Sequence, residues 1–294
     1  MRRTYLVLYC SLGLLVLAYA GASVYLFVEQ RTLIFQPRRE LIHTPGDFGL
    51  RFETLWLPSR DNALLNGWWV PNTDPTAPAL LYLHGNDGNI GANAEHAARL
   101  NALGFSVFVF DYRGYGVSGG GFPSEATAYE DAEAAWNYLV KTLHAKAENT
   151  FIYGHSLGGA IAIDLAVNHP EAAGLIVEST FTSMRDMAES RYAYFPVDWL
   201  LNQRFDSLAK IGRVRTPVLF IHGKADPLIP YAMTERLYRA AASPKKLVII
   251  PDAGHDNSAT VGKAAYADAV RGFVAGAKAR RSTEFSILPQ LVQP

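Results

Sequence analysis

Cysteine is close to absent: Cys10 is the single such residue in 294, so the chain cannot close an internal disulfide or build a cysteine-based metal site. That count leaves the redox compartment open. A surplus of either charge is also lacking, since 27 lysines and arginines balance 27 aspartates and glutamates. No global field therefore draws in nucleic acid or an acidic partner. No repeat period is visible. What is plentiful is apolar surface: 49% of the residues are hydrophobic, enough to bury the core of one α/β domain of this length.

Residues 5–28, YLVLYCSLGLLVLAYAGASVYLFV, carry no charge. As a helix this stretch is about 36 Å long, against a hydrocarbon core of about 30 Å, so it can span a membrane with some tilt. A cleaved signal peptide is the rival, suggested by Arg2 and Arg3 ahead of the run and by Ala18-Tyr19-Ala20 within it. The apolar pattern continues through Val24, Tyr25, Leu26, Phe27 and Val28, where a mature N-terminus would be polar, and this favours a retained anchor over residues 1–30. Arg2 and Arg3 on one side oppose Arg31, Arg38 and Arg39 on the other, so the positive-inside rule does not fix the orientation. The remainder of the chain is placed outside the cytoplasm.

From residue 51 the pattern changes. RFETLWLP and ALLNGWWVP flank the turn Ser59-Arg60-Asp61-Asn62 and read as a hairpin. Apolar runs at 79–83, 105–110, 150–153, 174–177, 217–221 and 246–250 then alternate with helical stretches at 91–103, 124–147, 157–168 and 231–242, and 258–278 closes the domain. Such alternation predicts a mostly parallel sheet with helices on both faces and functional loops at the carboxyl ends of its strands. Residues 178–216 are too long for a plain crossover and read as a small cap, or alternatively as helical surface packed on the sheet. The body is bounded at 31–280, with a tail at 281–294.

Gly154-His155-Ser156-Leu157-Gly158 matches G-x-S-x-G, with an apolar strand before it and an alanine-rich helix after it. A serine on that tight turn is held in strained backbone with its hydroxyl exposed, and small residues two positions away keep the turn free of clashes. The helix N-terminus beneath it offers unpaired N–H groups to a developing oxyanion.

A serine hydroxyl needs a base. Of eight histidines, His255 lies in a short loop after the last strand, where it can reach the same end of the sheet as Ser156. His155 adjoins the serine but is expected to point away from its hydroxyl. His84 opens a loop, His222 ends a strand, and His43, His96, His144 and His169 lie in linker or helical surface. The base in turn needs a carboxylate to orient it. Asp226, just past a strand end, is the candidate; Glu178 at the end of the preceding strand is a rival, and Asp252 and Asp256 are neighbours of His255 that would be badly aimed. Oxyanion donors are expected from the backbone N–H groups of Leu157 and Asn86.

The motifs YLHGNDGN, FDYRGYGVSGG, YGHSLGGAIA, ESTFTS, HGKADPLIP and GHD occur in an order that resembles membrane-anchored serine hydrolases of the α/β-hydrolase superfamily, over residues 31–275. The resemblance implies an α/β-hydrolase fold with a mostly parallel eight-stranded sheet, helices on both faces and a small cap between strands 6 and 7. It implies esterase, thioesterase or monoacylglycerol-lipase-like activity without metal or organic cofactor, a loop at 111–116 beside the site, and a structural role for Asp111. The chain departs from the pattern in a cap segment short for a large lid. The reading is a serine hydrolase acting on a small-molecule ester or thioester, with acyl lipids among the candidates and Phe122, Tyr192, Tyr194, Phe195 and Trp199 near the cap. A peptidase or amidase with the same triad is one alternative. A non-catalytic binding module is the other, and the intact set Ser156, Asp226 and His255 argues against it.

Overall fold

Successive residues along the apolar runs enter opposite layers. Leu80, Val107, Phe151 and Ile176 belong to one buried cluster, whereas Leu81, Phe108, Ile152 and Leu175 belong to another. That is the two-residue period of a sheet covered on both faces. The computed structural model describes residues 2–60 and 62–287.

Among the described residues eight strands build the main sheet: β1 (Glu53–Pro58), β2 (Leu64–Val70), β3 (Ala79–Leu83), β4 (Ser106–Phe110), β5 (Thr150–His155), β6 (Gly174–Glu178), β7 (Val218–Gly223) and β8 (Lys245–Ile250). Their spatial order is β1-β2-β4-β3-β5-β6-β7-β8. The hairpin β1–β2 and the pair β2–β4 are antiparallel. Every other neighbouring pair is parallel, so β3 and β5 to β8 deliver their carboxyl ends to one rim.

The helices are α1 (Arg2–Val28), α2 (Gln30–Ile34), α3 (Ala94–Ala102), α4 (Glu125–Asn137), α5 (Leu157–Asn168), α6 (Met184–Arg191), α7 (Val197–Leu200), α8 (Ser207–Ile211), α9 (Tyr231–Ala240) and α10 (Ser258–Ile287). Apolar residues of α3 and α10 cover one face of the sheet, and those of α4, α5, α8 and α9 the other. The helix expected at 124–147 starts under a Ser124 cap but is α-helical only to Asn137. One wider π-turn, Tyr138–Thr142, keeps Leu139 buried, and His144 with φ of 56° then stops it, because left-handed backbone cannot continue a helix. The closing helix is broken at Lys263 (φ 41°) and runs on through Ile287, into the span read as tail; residues 288–294 lie outside the described residues.

Between β6 and β7 the segment read as a cap carries α6, α7 and α8. α1 is long and apolar enough to cross a membrane, and none of its residues is buried. It is a candidate anchor or signal sequence. Its inner end rests on the cap: the Tyr19 ring stacks on Phe195 at 5.1 Å, and the Tyr19 hydroxyl donates to the Tyr194 carbonyl at 2.9 Å. Gln30 is buried, donating to the Leu200 carbonyl (2.6 Å) and accepting from the Asn202 N–H (2.8 Å). A boundary drawn between residues 30 and 31 therefore cuts through the bonds that join the helix to the body.

Candidate active site

Ser156 stands between β5 and α5 with φ 55° and ψ −122°. An L-residue pays about 1–3 kcal/mol for such a conformation and keeps it only when its surroundings fix it. Here the Ser156 N–H donates to the Glu178 carbonyl at 2.9 Å, while its own carbonyl accepts from the Gly159 N–H (2.9 Å) and the Thr180 hydroxyl (2.8 Å). The two glycines of the motif are required by contact. A Cβ on Gly154 would lie 2.2 Å from the Gly158 oxygen, and one on Gly158 would lie 2.0 Å from the Leu83 oxygen. The spelling G-x-S-x-G is thus what lets α5 leave β5 so close to the end of β3.

The loop after β8 carries His255 to this turn. Its Nε2 is 2.9 Å from the Ser156 Oγ, and its Nδ1 is 2.7 Å from Asp226 Oδ2. Since an ionised carboxylate only accepts, the imidazole proton sits on Nδ1, and Nε2 is free to accept from the serine. Asp226 follows β7; its Oδ1 accepts from the N–H groups of Leu228 (2.8 Å) and Ile229 (2.9 Å). Burial pushes the Asp226 carboxyl up, but hydrogen bonds from His222, His255 and the Ile229 N–H outweigh it and hold the group below the usual carboxylate range. Burial likewise pushes His255 down, and the hydrogen bond and charge of Asp226 more than reverse this, leaving it above the ordinary histidine value.

The rival acids are elsewhere. Glu178 is buried and faces the opposite side of the sheet end, where it accepts from the hydroxyls of Tyr153 and, at 3.4 Å, Tyr266. Asp256 is exposed with an oxygen 3.6 Å from His155 Nε2, and Asp252 occupies a left-handed position (φ 60°) in the loop. Asp111 is fully buried, accepting from the Ile90 N–H at 2.8 Å and lying 3.4 Å from His84 Nε2, which ties the loop after β3 to the end of β4.

Leu157 is the first residue of α5, so its N–H has no acceptor within the helix. Asn86 borders the same cavity as Ser156, Leu157 and His255. Its loop is pinned from three sides: its carbonyl accepts from Tyr115 Oη (2.7 Å) and the Gln36 N–H (2.9 Å), and its side chain donates to the Ile34 carbonyl (2.9 Å). The cavity measures about 460 Å³ and runs from these groups beneath the cap, between Met184, Met187, Phe195 and Leu201.

Two residues given no role by the sequence take part. His155 does point away from the hydroxyl, but its Nε2 donates to the backbone carbonyl of His255 at 3.1 Å. His222 is wholly buried, with Nε2 3.2 Å from Asp226 Oδ2. Its spacing four residues before Asp226, at a strand end, was the available signal. His155, His255 and Asp256 bring ligand-type atoms within 4.8 Å of one another. Both nitrogens of His255 are engaged by Ser156 and Asp226, which leaves too few free donors there for a metal. Of the aromatics singled out near the cap, Tyr192 and Phe195 line the cavity, Tyr194 and Trp199 are exposed, and Phe122 packs under the Arg31 guanidinium at 5.5 Å.

A mostly parallel sheet in this strand order, with a serine on the strained turn after β5 and a cap after β6, is the α/β-hydrolase arrangement. The family model described as serine aminopeptidase, S33, matches residues 74–209 and 200–258. An uncharacterized protein of Mycobacterium tuberculosis is 34% identical over 263 residues, covering 89% of this chain and 93% of its own length. Protein bem46 of Schizosaccharomyces pombe is 34% identical over 239 residues, 76% of this chain and 78% of its own. Among solved structures, the Pyrococcus furiosus esterase Pf2001 superposes with a TM-score of 0.67 at 23% identity, covering 82% of this chain and 98% of its own. A puromycin-hydrolyzing peptidase of Mycobacterium tuberculosis gives 0.65 at 19%, covering 78% of this chain and 39% of its own. The chain belongs to the S33 family of α/β-hydrolases and is a hydrolase.

Proposed function

We propose that the protein is a membrane-tethered serine hydrolase that cleaves carboxylic esters or thioesters, with Ser156, His255 and Asp226 as its triad. The observation that carries this reading is the continuous chain Ser156 Oγ, His255 Nε2, His255 Nδ1, Asp226 Oδ2, with links of 2.9 and 2.7 Å, at the edge of an apolar cavity. Ser156 Oγ attacks the acyl carbon as its proton passes to His255 Nε2; the backbone N–H groups of Leu157 and Asn86 receive the oxyanion. The alcohol or thiol leaves with the proton from His255, and water, deprotonated by the same nitrogen, releases the acid and restores Ser156. The apolar lining suits an acyl chain.

A peptidase reading takes support from the aminopeptidase description of the family model and from the puromycin-hydrolyzing peptidase among the structural neighbours. An aminopeptidase needs an anion to receive the free α-ammonium of its substrate. Among the described residues that line the cavity Asp87 is the one carboxylate beyond the triad, and Arg38 engages both of its oxygens at 3.0 Å. This favours the ester reading. The test compares p-nitrophenyl acyl esters with aminoacyl anilides on the full chain: ester turnover is expected to dominate, and efficient anilide cleavage with inert esters would overturn the proposal.

A further inference from the structure

The cavity that opens at Ser156 is not closed by the cap alone. Leu26 of α1, Leu33 and Ile34 of α2 and Gln36 supply the wall opposite Met187 and Phe195. The same short segment is tied to the reacting end, because the Asn86 side chain donates to the Ile34 carbonyl, and to the cap, because Gln30 bonds Leu200 and Asn202. The helix read as an anchor is thus built into the site.

Lengths decide where the bilayer lies. The apolar part of α1 that stands clear of the cap, residues 5–18, is about 21 Å long at 1.5 Å per residue, short of the about 30 Å of hydrocarbon to be crossed. The stretch from Tyr19 inward must make up the difference, and the cap rests on that stretch. The cap therefore enters the membrane boundary with it. Its outer surface fits that depth: Tyr194 is 91% and Trp199 88% exposed, apolar rings with polar atoms of the kind found at headgroup level. A cavity of about 460 Å³ lies within the range of about 300–1,000 Å³ typical of small-ligand sites and has room for an acyl chain.

We propose that the inner end of α1 together with α2 is the acyl-chain wall of the substrate site, and that the substrate is an amphiphilic acyl ester taken directly from the bilayer. The proposal rests on the serine-hydrolase reading and adds its source and chain specificity. Leu26, Leu33 and Ile34 become residues that set chain length, lying along the path between membrane and Ser156.

The test measures rates of covalent labelling of Ser156 in the full-length protein, reconstituted in phosphatidylcholine vesicles, by ethyl- and dodecyl-phosphonofluoridate probes. The wild type is expected to prefer the dodecyl probe. Leu26→Trp and Ile34→Trp, which fill the wall, are expected to lower the dodecyl-to-ethyl ratio at least ten-fold. Ratios within two-fold of wild type in both variants, with both probes reacting, would overturn the inference and leave the serine-hydrolase reading intact. Absence of labelling by either probe in the wild type would overturn that reading, and the inference with it. A second measurement reads depth: brominated-lipid quenching of tryptophan fluorescence is expected to diminish in Trp199→Phe. Equal quenching in the two proteins would remove the cap from the bilayer surface and overturn the inference.

Discussion

The Nε2 atom of His155 donates to the carbonyl oxygen of His255 at 3.1 Å, and the two rings lie 5.1 Å apart. His155 thereby holds the loop that carries His255, the base of the proposed triad. A base displaced by about 1 Å can cost on the order of a hundred-fold in rate. His155→Ala is expected to lower kcat ten- to a hundred-fold with KM changed less than about three-fold, and His155→Gln, which retains a donor, to recover part of the loss. Steady-state kinetics on both variants checks this; a glutamine variant as poor as the alanine one would mean that the ring acts by packing.

Ser156→Ala removes the proposed nucleophile. Turnover is expected to fall by at least about 10⁴-fold, in line with triad knockouts, and fluorophosphonate labelling to vanish. Labelling that persists would move the nucleophile elsewhere.

Asp226 and Glu178 separate the two candidate acids. Asp226→Asn is expected to cost about 10⁴-fold in kcat by presenting a donor where His255 Nδ1 needs an acceptor. Glu178→Gln is expected to change kcat less than ten-fold. It should instead lower stability by about 1 kcal/mol, since the Tyr153 and Tyr266 hydroxyls, which both meet Oε2, then bond an amide oxygen in place of a carboxylate oxygen. Kinetics and denaturant melts of both variants report the pattern, and its reversal would make Glu178 the acid.

The pH profile follows from the sign of the His255 shift. His255 must be neutral to take the serine proton, and its value in the folded protein is raised, burial being outweighed by Asp226. The acid limb of kcat/KM is therefore expected at a midpoint above the ordinary histidine value of about 6.5, with activity rising through it. Asp226→Asn removes the upward influence, so its midpoint moves down while its plateau falls. In stability the same groups act oppositely. The His255 contribution is complete below about 6.5 and lost as pH rises through the folded value, whereas that of depressed Asp226 is complete above about 3.9 and lost as pH falls through its folded value. A kcat/KM titration beside a stability titration checks both signs.

Most of this architecture was legible in the sequence because its signals are local. Near-continuous apolar runs announced buried parallel strands, and Gly154, Ser156 and Gly158 announced a turn that only small neighbours permit. His255 and Asp226 stand out as candidates because each lies in a loop that follows a strand. The less legible parts depend on contacts between distant segments. Nothing near His155 says that it will bond the backbone of residue 255, and His222 offers only its spacing from Asp226. Gln30 reads as the end of an anchor, and its burial against residues 200–203 appears only once the cap folds over it. The outward turn of Tyr194 and Trp199 was hidden for the same reason: aromatic content identifies a greasy segment without saying which rings fill its interior.

Gly158 touches the carbonyl oxygens of Leu83 and His84 so closely that a single added methyl has no room. The start of the nucleophile helix and the strand preceding the Asn86 loop consequently behave as one rigid casting. Substitutions there have little scope to reshape the site. Such change falls instead to the pieces that stand apart from this contact, namely α1, α2 and the segment carrying α6 to α8.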